Sequence, residues 1–307
     1  MKMKNLIKGL VKKITRIVLD ISYLSKKFYY ETHLLYNHNF YNDRIQQIII
    51  INQWKENFIK SNNPLKFQDV SFRVFSGNGQ DGILLYLLTI LGIKHYKIID
   101  IGCGNGIIGN SSNLIINHGF HALLIDGDEK SLERGKTFYS KLELIYNNQP
   151  QVIKAFLTKE NVNSIISNSL PENEVDILSI DIDSVDLYIL DTIICISPRI
   201  IVLEFNNAWG PKDSKSVPYQ DGFTREWVDG LLYGSASLAA FNKILKAKGY
   251  WLVGCDSSGF DAYFIREGEN IFPEVSVESC YEQSRSWQAT HAKLSDSRLN
   301  QKTWVDI

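Results

Sequence analysis

The sequence predicts an α/β fold: a doubly wound, mostly parallel seven-stranded sheet with one antiparallel strand, preceded by an N-terminal helical extension. Three observations carry this. From residue 97 onward, short apolar runs alternate with segments of helical period. The runs are nearly continuous rather than alternating, as in strands covered on both faces. The last two, 250–255 and 262–266, are joined only by a short turn at Gly259, so they must pair antiparallel.

In order, Lys97–Ile101 reads as the first strand and 107–118 as a helix. Ala122–Asp126 is the second strand and Glu129–Tyr139 a helix. Val152–Leu157 is the third strand and 162–167 a short helix. The fourth strand is 175–182, followed by a helix over 187–194. The fifth is Ile200–Phe205, followed by a helix over 235–248 and the two closing strands. Upstream, Ile48–Ile51 and Trp54 fall in helices, and Pro64 after the polar run 60–63 marks a boundary. The expected organisation is a helical extension over 1–66, a ligand-binding domain over 67–270 and a C-terminal extension over 271–307.

The bulk numbers exclude several classes. With 307 residues, 44% of them apolar, the chain can bury a sizeable core. A formal charge of −1 argues against nucleic acid as a partner. The four cysteines, Cys103, Cys195, Cys255 and Cys280, form no C-x-x-C pair, so neither zinc nor a disulfide framework is indicated and a reducing, cytoplasmic setting is expected. Residues 1–30 differ from the rest: eight Lys or Arg against one acid, with apolar residues at Ile7, Leu10, Ile14, Ile17, Ile21 and Leu24. This is a basic amphipathic helix, too interrupted by lysine to span a bilayer. It reads either as a peripheral anchor on anionic lipid or as a helix packed on the protein or a partner.

The most informative stretch is Asp100-Ile-Gly-Cys-Gly-Asn-Gly106. A buried strand runs into an acid and then a turn of three alternate glycines, where bare backbone can pass close to a ligand. The next strand ends in Asp126, at the spacing that suits hydrogen bonds to ribose hydroxyls. Ligands of open parallel sheets bind outside the carboxyl ends of the strands. That rule draws Asp100, Asp126, Leu157, Asp181 and Asn206 toward one crevice. Within Leu178-Ser-Ile-Asp-Ile-Asp183, strand alternation puts Asp181 and Asp183 on the same side.

These residues, with Ile201-Val-Leu-Glu204, resemble the class I S-adenosylmethionine-dependent methyltransferases, and more narrowly the FkbM-type enzymes. The resemblance covers residues 75–266. It implies a Rossmann-like fold and O-methylation of a sugar or glycan precursor. It also implies that Gly102, Cys103, Gly104, Asn105 and Gly106 line the methionine part of the cofactor. Asp100 would face its amino group, Asp126 and Gly127 the ribose, Phe156, Leu157 and Thr158 the adenine, and Asp181 the sulfonium.

Several readings stay open. Asp181 and Asp183 are candidate catalytic residues. Asp183 serves as a general base, shares Mg²⁺ with Asp181 helped by Glu204 or Asn206, or caps the following helix, a reading also open for Asp186. Asn206, Asn207 and Trp209 combine amides with an aromatic ring, which suits sugar recognition. They suit equally a loop whose Trp covers the core. The aromatic segment 212–233, with Tyr219, Phe223, Trp227 and Tyr233, is long enough for a lid. Gln80 and Asp81 either close over the cofactor's carboxylate or, for Asp81, cap a helix. Against catalysis stand a cofactor-binding protein without turnover and a membrane-tethered partner protein. Gly104-Asn-Gly-Ile-Ile-Gly109 also spells the dinucleotide pattern, which leaves a nicotinamide oxidoreductase as the remaining alternative.

Overall fold

A computed structural model describes residues 40–170, 172–269, 271–284, 287, 290, 294 and 297–307. The basic helix expected over 1–30 lies outside them. Residues 46–307 form one compact unit. Among the described residues no helix is long and apolar enough to cross a membrane.

The sheet contains β1 (Lys97–Ile101), β2 (His121–Asp126), β3 (Gln151–Lys154), β4 (Glu174–Ile180), β5 (Ser197–Glu204), β6 (Tyr250–Cys255) and β7 (Asp261–Arg266). Their order is β3-β2-β1-β4-β5-β7-β6. β7 runs antiparallel to both neighbours, and the other six strands are parallel. This is the predicted doubly wound, Rossmann-like sheet with one reversed strand. The order turns around between β1 and β4, the switch point at which such sheets leave a crevice.

The strands form because their apolar runs can be buried on both faces. Ile98, Ile99, Ile101, Leu123 and Ile125 are each less than 1% exposed, and burying a side chain of this kind contributes about 1.5–3 kcal/mol. The helices among the described residues are α1 (Phe40–Ser61), α2 (Phe67–Val70), α3 (Gln80–Leu91), α4 (Ser112–His118), α5 (Glu129–Tyr139), α6 (Val162–Ser169), α7 (Asp186–Thr192), α8 (Leu238–Ala247) and α9 (Val277–Gln283).

Several boundaries differ from expectation: β4, expected over 175–182, ends at Ile180, so Asp181 and Asp183 follow the strand and strand alternation does not place them, and the helices expected over 187–194 and 235–248 run over 186–192 and 238–247. The helix expected over 107–118 starts only at Ser112, because Asn105 Oδ1 accepts the Ile107 and Ile108 amides and holds a turn there. β3 ends at Lys154 rather than at Leu157; the Ala155 amide still donates to the Asp126 carbonyl at 2.9 Å, and residues 156–157 have no strand pairing. Asp81 is also not a cap. Gly79, at φ +95°, precedes α3. Asp81 Oδ2 instead accepts the amides of Val74, Phe75 and Ser76 at 2.7–2.8 Å, fixing the loop ahead of its own helix.

At the far end of the chain, the last residues brace the aromatic segment after β5. Val305–Asp306 pairs with Lys215–Ser216. Trp304 packs edge-on against Trp209 at 4.8 Å and Tyr233 at 5.2 Å. Arg298 binds Asp229, and Lys302 binds Glu226. We expect Trp304→Ala to speed limited proteolysis within 211–233 at least tenfold while the sheet resists cleavage. Unchanged cleavage there would mean that the brace is held elsewhere.

Candidate functional site

The three glycines after β1 do three different jobs. Gly102 has φ +80°, and a Cβ there would collide with the Asp181 carbonyl, so only glycine lets β1 and β4 end side by side. Gly104, at φ +59°, has open space where its side chain would be, so it presents bare backbone to a cavity. Gly106 is packed against Leu124 and Tyr139, and its carbonyl accepts from the Ser112 hydroxyl at 2.9 Å. Its role is to seat the loop. Asp126 completes the turn: its two oxygens accept the Gly104 amide at 2.8 Å and the Asp128 amide at 2.7 Å. A carboxylate has about four acceptor positions, so two remain for a ligand.

Two cavities meet at this turn. The larger, about 790 Å³, is lined by Gly102, Gly104, Asp126, Gly127, Phe156 and Leu157 on one side and by Asp181–Val185 and Gly222–Arg225 on the other. Phe156 is 73% exposed at its rim. The ring lies where a side chain on Gly127 would be, so the glycine gives it room. The smaller, about 210 Å³, is lined by Asp100, Cys103, Asp181, Glu204 and Asp261 together with Asn78 from the loop ahead of α3 and Gln80 at that helix's first position. Gln80 ties that loop to β7, donating to Asp261 at 2.5 Å and accepting the Asn78 amide at 2.7 Å. Gly102 and Asp181 line both cavities.

The lining is acidic. Seven carboxyl groups and a single base, Arg225, face the two spaces. Burial pushes Asp100 and Asp261 above the usual carboxylate range. Burial also lifts Asp181 to about 6 and Glu204 to about 10, the latter helped by the Asp181 charge beside it. Burial beside the Asp181 charge favours the protonated form of Glu204, which is hydrogen-bonded to Asp181. Desolvation and like charge act together here.

The turn after β4 is fixed by Asp186, whose two oxygens accept the Ile182 and Ser184 amides at 2.8 Å each. Asp186, not Asp183, thus organises the approach to α7. Asp183 stands between those two anchored amides at φ +54°, in the left-handed region. Its carboxylate pairs with the Arg225 guanidinium. Asp181, Asp183 and Glu204 bring one oxygen each within 4.8 Å of one another. Nothing beyond this clustering supports a hard cation such as Mg²⁺: Asp183 already holds the Arg225 guanidinium, whose positive charge would face the ion. Nor can Asn206 help: its amide donates to the Leu232 and Gly234 carbonyls and accepts the Ala208 amide.

Of the residues singled out from sequence, Asp100, Gly102, Cys103, Gly104, Asp126, Gly127, Leu157, Asp181 and Asp183 line one cavity or the other. Asn105, Gly106 and Thr158 do not. They hold the loop and the start of α6, where the Thr158 amide donates to Asn161. Asn206, Asn207 and Trp209 line neither cavity and are each less than 8% exposed. Asn207 donates to the Gly259 carbonyl, and Trp209 packs with Leu231 and Leu299. They tie down the loop after β5, which is the core-covering reading of that segment. Sequence reasoning missed Arg225 and Thr224 in the wall and Asp261 in the smaller cavity. Nothing local distinguishes them, because each reaches the site through a long-range fold contact.

No family model matches the chain, and no curated protein matches it. Solved structures do. An S-adenosylmethionine-dependent methyltransferase from Clostridium acetobutylicum aligns at 12% identity and TM-score 0.39, covering 71% of this chain and 99% of its own. An O-methyltransferase from Bacillus cereus in complex with S-adenosylhomocysteine aligns at 13% identity and TM-score 0.39, covering 70% and 88%. A methyltransferase from Methanosarcina mazei aligns at 15% identity and TM-score 0.37, covering 56% and 92%. At such low scores the likenesses decide nothing about chemistry, which rests on the two cavities.

Proposed function

We propose that the chain is an S-adenosylmethionine-dependent methyltransferase acting on a hydroxyl of a sugar or glycan precursor. The observation that carries the reading is the acid-lined double cavity joined at Gly102 and Asp181. The cofactor is a cation divided into a nucleoside and an amino acid. The larger space offers Asp126 to ribose hydroxyls and Phe156 to a purine face. The smaller offers Asp100 and Asp181 to an ammonium and the Gln80 loop to the opposite end. A sulfonium between them would meet carboxylates. A pyridine dinucleotide fits worse. Its pyrophosphate is an anion, which wants a helix N-terminus, whereas here it would face Asp100, Asp126 and Asp181.

When bound, the cofactor supplies a methyl group that leaves with its S–C electron pair remaining on sulfur. The protein's part is to orient, exclude water and receive a proton. A sugar hydroxyl is a weak nucleophile until that proton moves. Asp183 is the nearby carboxylate not engaged with Glu204, and its anchored backbone keeps it in one place. Phe223 and Trp227, on the same wall segment as Arg225, supply the aromatic surface that sugars stack on.

Calorimetry tests the reading. S-adenosylmethionine and S-adenosylhomocysteine should bind, and Asp126→Ala should weaken both by about 1–3 kcal/mol, roughly 5- to 150-fold. Affinity for the cationic cofactor should rise with pH through about 6. Its charge favours the ionised form of Asp181, so below that pH binding must expel the Asp181 proton. Heat with a pyridine nucleotide and none with either sulfur compound would discard the proposal.

A further inference from the structure

Arg225 is the one base among the residues lining the two cavities. Its side chain is 53% exposed, while that of its partner Asp183 is 16% exposed. The two differ in freedom as well as exposure. Asp183 is immobilised: Asp186 grips the amides on either side of it, and Gly234 lies against its carbonyl, where a side chain would collide. The backbone near Arg225 is also pinned, since the Ser184 hydroxyl donates to the Phe223 carbonyl at 2.8 Å. What remains free is the guanidinium on its flexible stem, with solvent and the cavity on its open side.

This matters for the proton. A carboxylate paired with a guanidinium is a poor proton acceptor, because the positive charge stabilises its ionised form. Asp183 can receive the hydroxyl proton only when Arg225 is drawn away. Asp183 is the carboxylate that holds the guanidinium directly. The partner that would draw the fork off is an incoming anion with paired oxygens, for which Arg is the best-matched side chain.

We propose that the acceptor is an anionic sugar, with a phosphate or carboxylate beside the hydroxyl to be methylated, and that this anion takes the Arg225 guanidinium from Asp183. Binding the right acceptor thereby unmasks the base. The O–H proton passes to an Asp183 oxygen as the hydroxyl oxygen takes the methyl group, leaving a methyl ether, and Asp183 then returns the proton to water. A neutral sugar leaves the ion pair closed and is turned over slowly. The inference rests on the methyltransferase reading above.

The test uses the full chain saturated with S-adenosylhomocysteine, titrated with glucose, galactose and mannose, with their 6-phosphates, and with their uronates. Methyl transfer from labelled S-adenosylmethionine is counted on the same panel. At least one anionic series should bind tenfold or more tighter than its neutral parents and be methylated faster. The phosphate and uronate arms identify which anion is read. In Arg225→Gln the preference should fall below twofold, and Arg225→Lys, which keeps the charge without the fork, should restore part of it. A merely structural role for Arg225 would lower all binding alike and leave the preference intact. Equal binding of neutral and anionic sugars, no binding of any of them, or a preference that survives Arg225→Gln overturns the proposal. If S-adenosylhomocysteine itself gives no heat, the methyltransferase reading fails instead.

Discussion

Asp183→Asn is expected to lower single-turnover methyl transfer by about a hundredfold or more, the lower range of general-base contributions, with cofactor affinity changed less than about threefold. The asparagine side chain suits this test for two reasons. Position 183 sits at φ +54°, a conformation that Asn tolerates better than most residues, so the turn survives. The amide oxygen can still accept from Arg225, so the wall of the cavity keeps its latch. What is lost is the capacity to take a proton. Asp181→Asn is expected to behave differently. It removes the carboxylate that lies between both cavities and accepts from Glu204, so affinity and rate should fall together. Equal rates in Asp183→Asn and wild type would move the proton to another acceptor and remove the base assignment.

The difference between these two aspartates also marks where sequence reasoning stops. The ends of β1 and β2 are legible because local chemistry determines them, whereas β4 stops at Ile180, two residues before its expected end. Apolar runs end in an acid, and glycines follow where no Cβ is allowed. Asp100, Asp126 and Asp181 all emerge from that pattern at the carboxyl end of the sheet. The alternation of elements likewise gives the seven strands and the reversed one. What each side chain is paired with is not legible, because the partner comes from a distant part of the chain. Asp183 meets Arg225 from the wall segment. Asn206 resembles a sugar-binding amide but is occupied by carbonyls at Leu232 and Gly234. Asp81 stands where a cap is expected but holds residues 74–76. Gly106 belongs to the glycine motif, yet its contact is with Tyr139 on α5. Motifs give positions on elements. The division between ligand-facing and loop-holding roles is decided by packing that no spacing encodes.

Arg199→Ala is expected to cost about 3–5 kcal/mol of stability, the range for leaving one member of a buried ion pair unpaired, with methyl-transfer kinetics unchanged at permissive temperature. Arg199, near the start of β5, is fully buried. Its guanidinium donates to Asp176 at 2.9 Å, to Glu269 at 2.7 and 2.9 Å, and to the carbonyls of Leu91 and Gly92. Asp176 also accepts the amides of Lys94, His95 and Tyr96. One side chain therefore fastens α3, the entry to β1, β4 and the chain after β7 at the end of the sheet opposite the cavities. Removing it strands a buried carboxylate and two carbonyls, whereas replacing arginine and both acids together with apolar residues would cost much less. The pH dependence carries a signature. Arg199 first, and Lys94 beside it, hold the Glu269 carboxyl down to about 2, from an ordinary value of 4.5. A carboxyl depressed on folding contributes stability that is complete above its unfolded value and lost as pH falls toward its folded one. Urea midpoints of the wild-type protein should therefore decline between about pH 4.5 and 2, and Arg199→Ala should flatten that part of the curve. A variant that loses less than about 1 kcal/mol and keeps the acid slope would show that another contact holds this end of the sheet together.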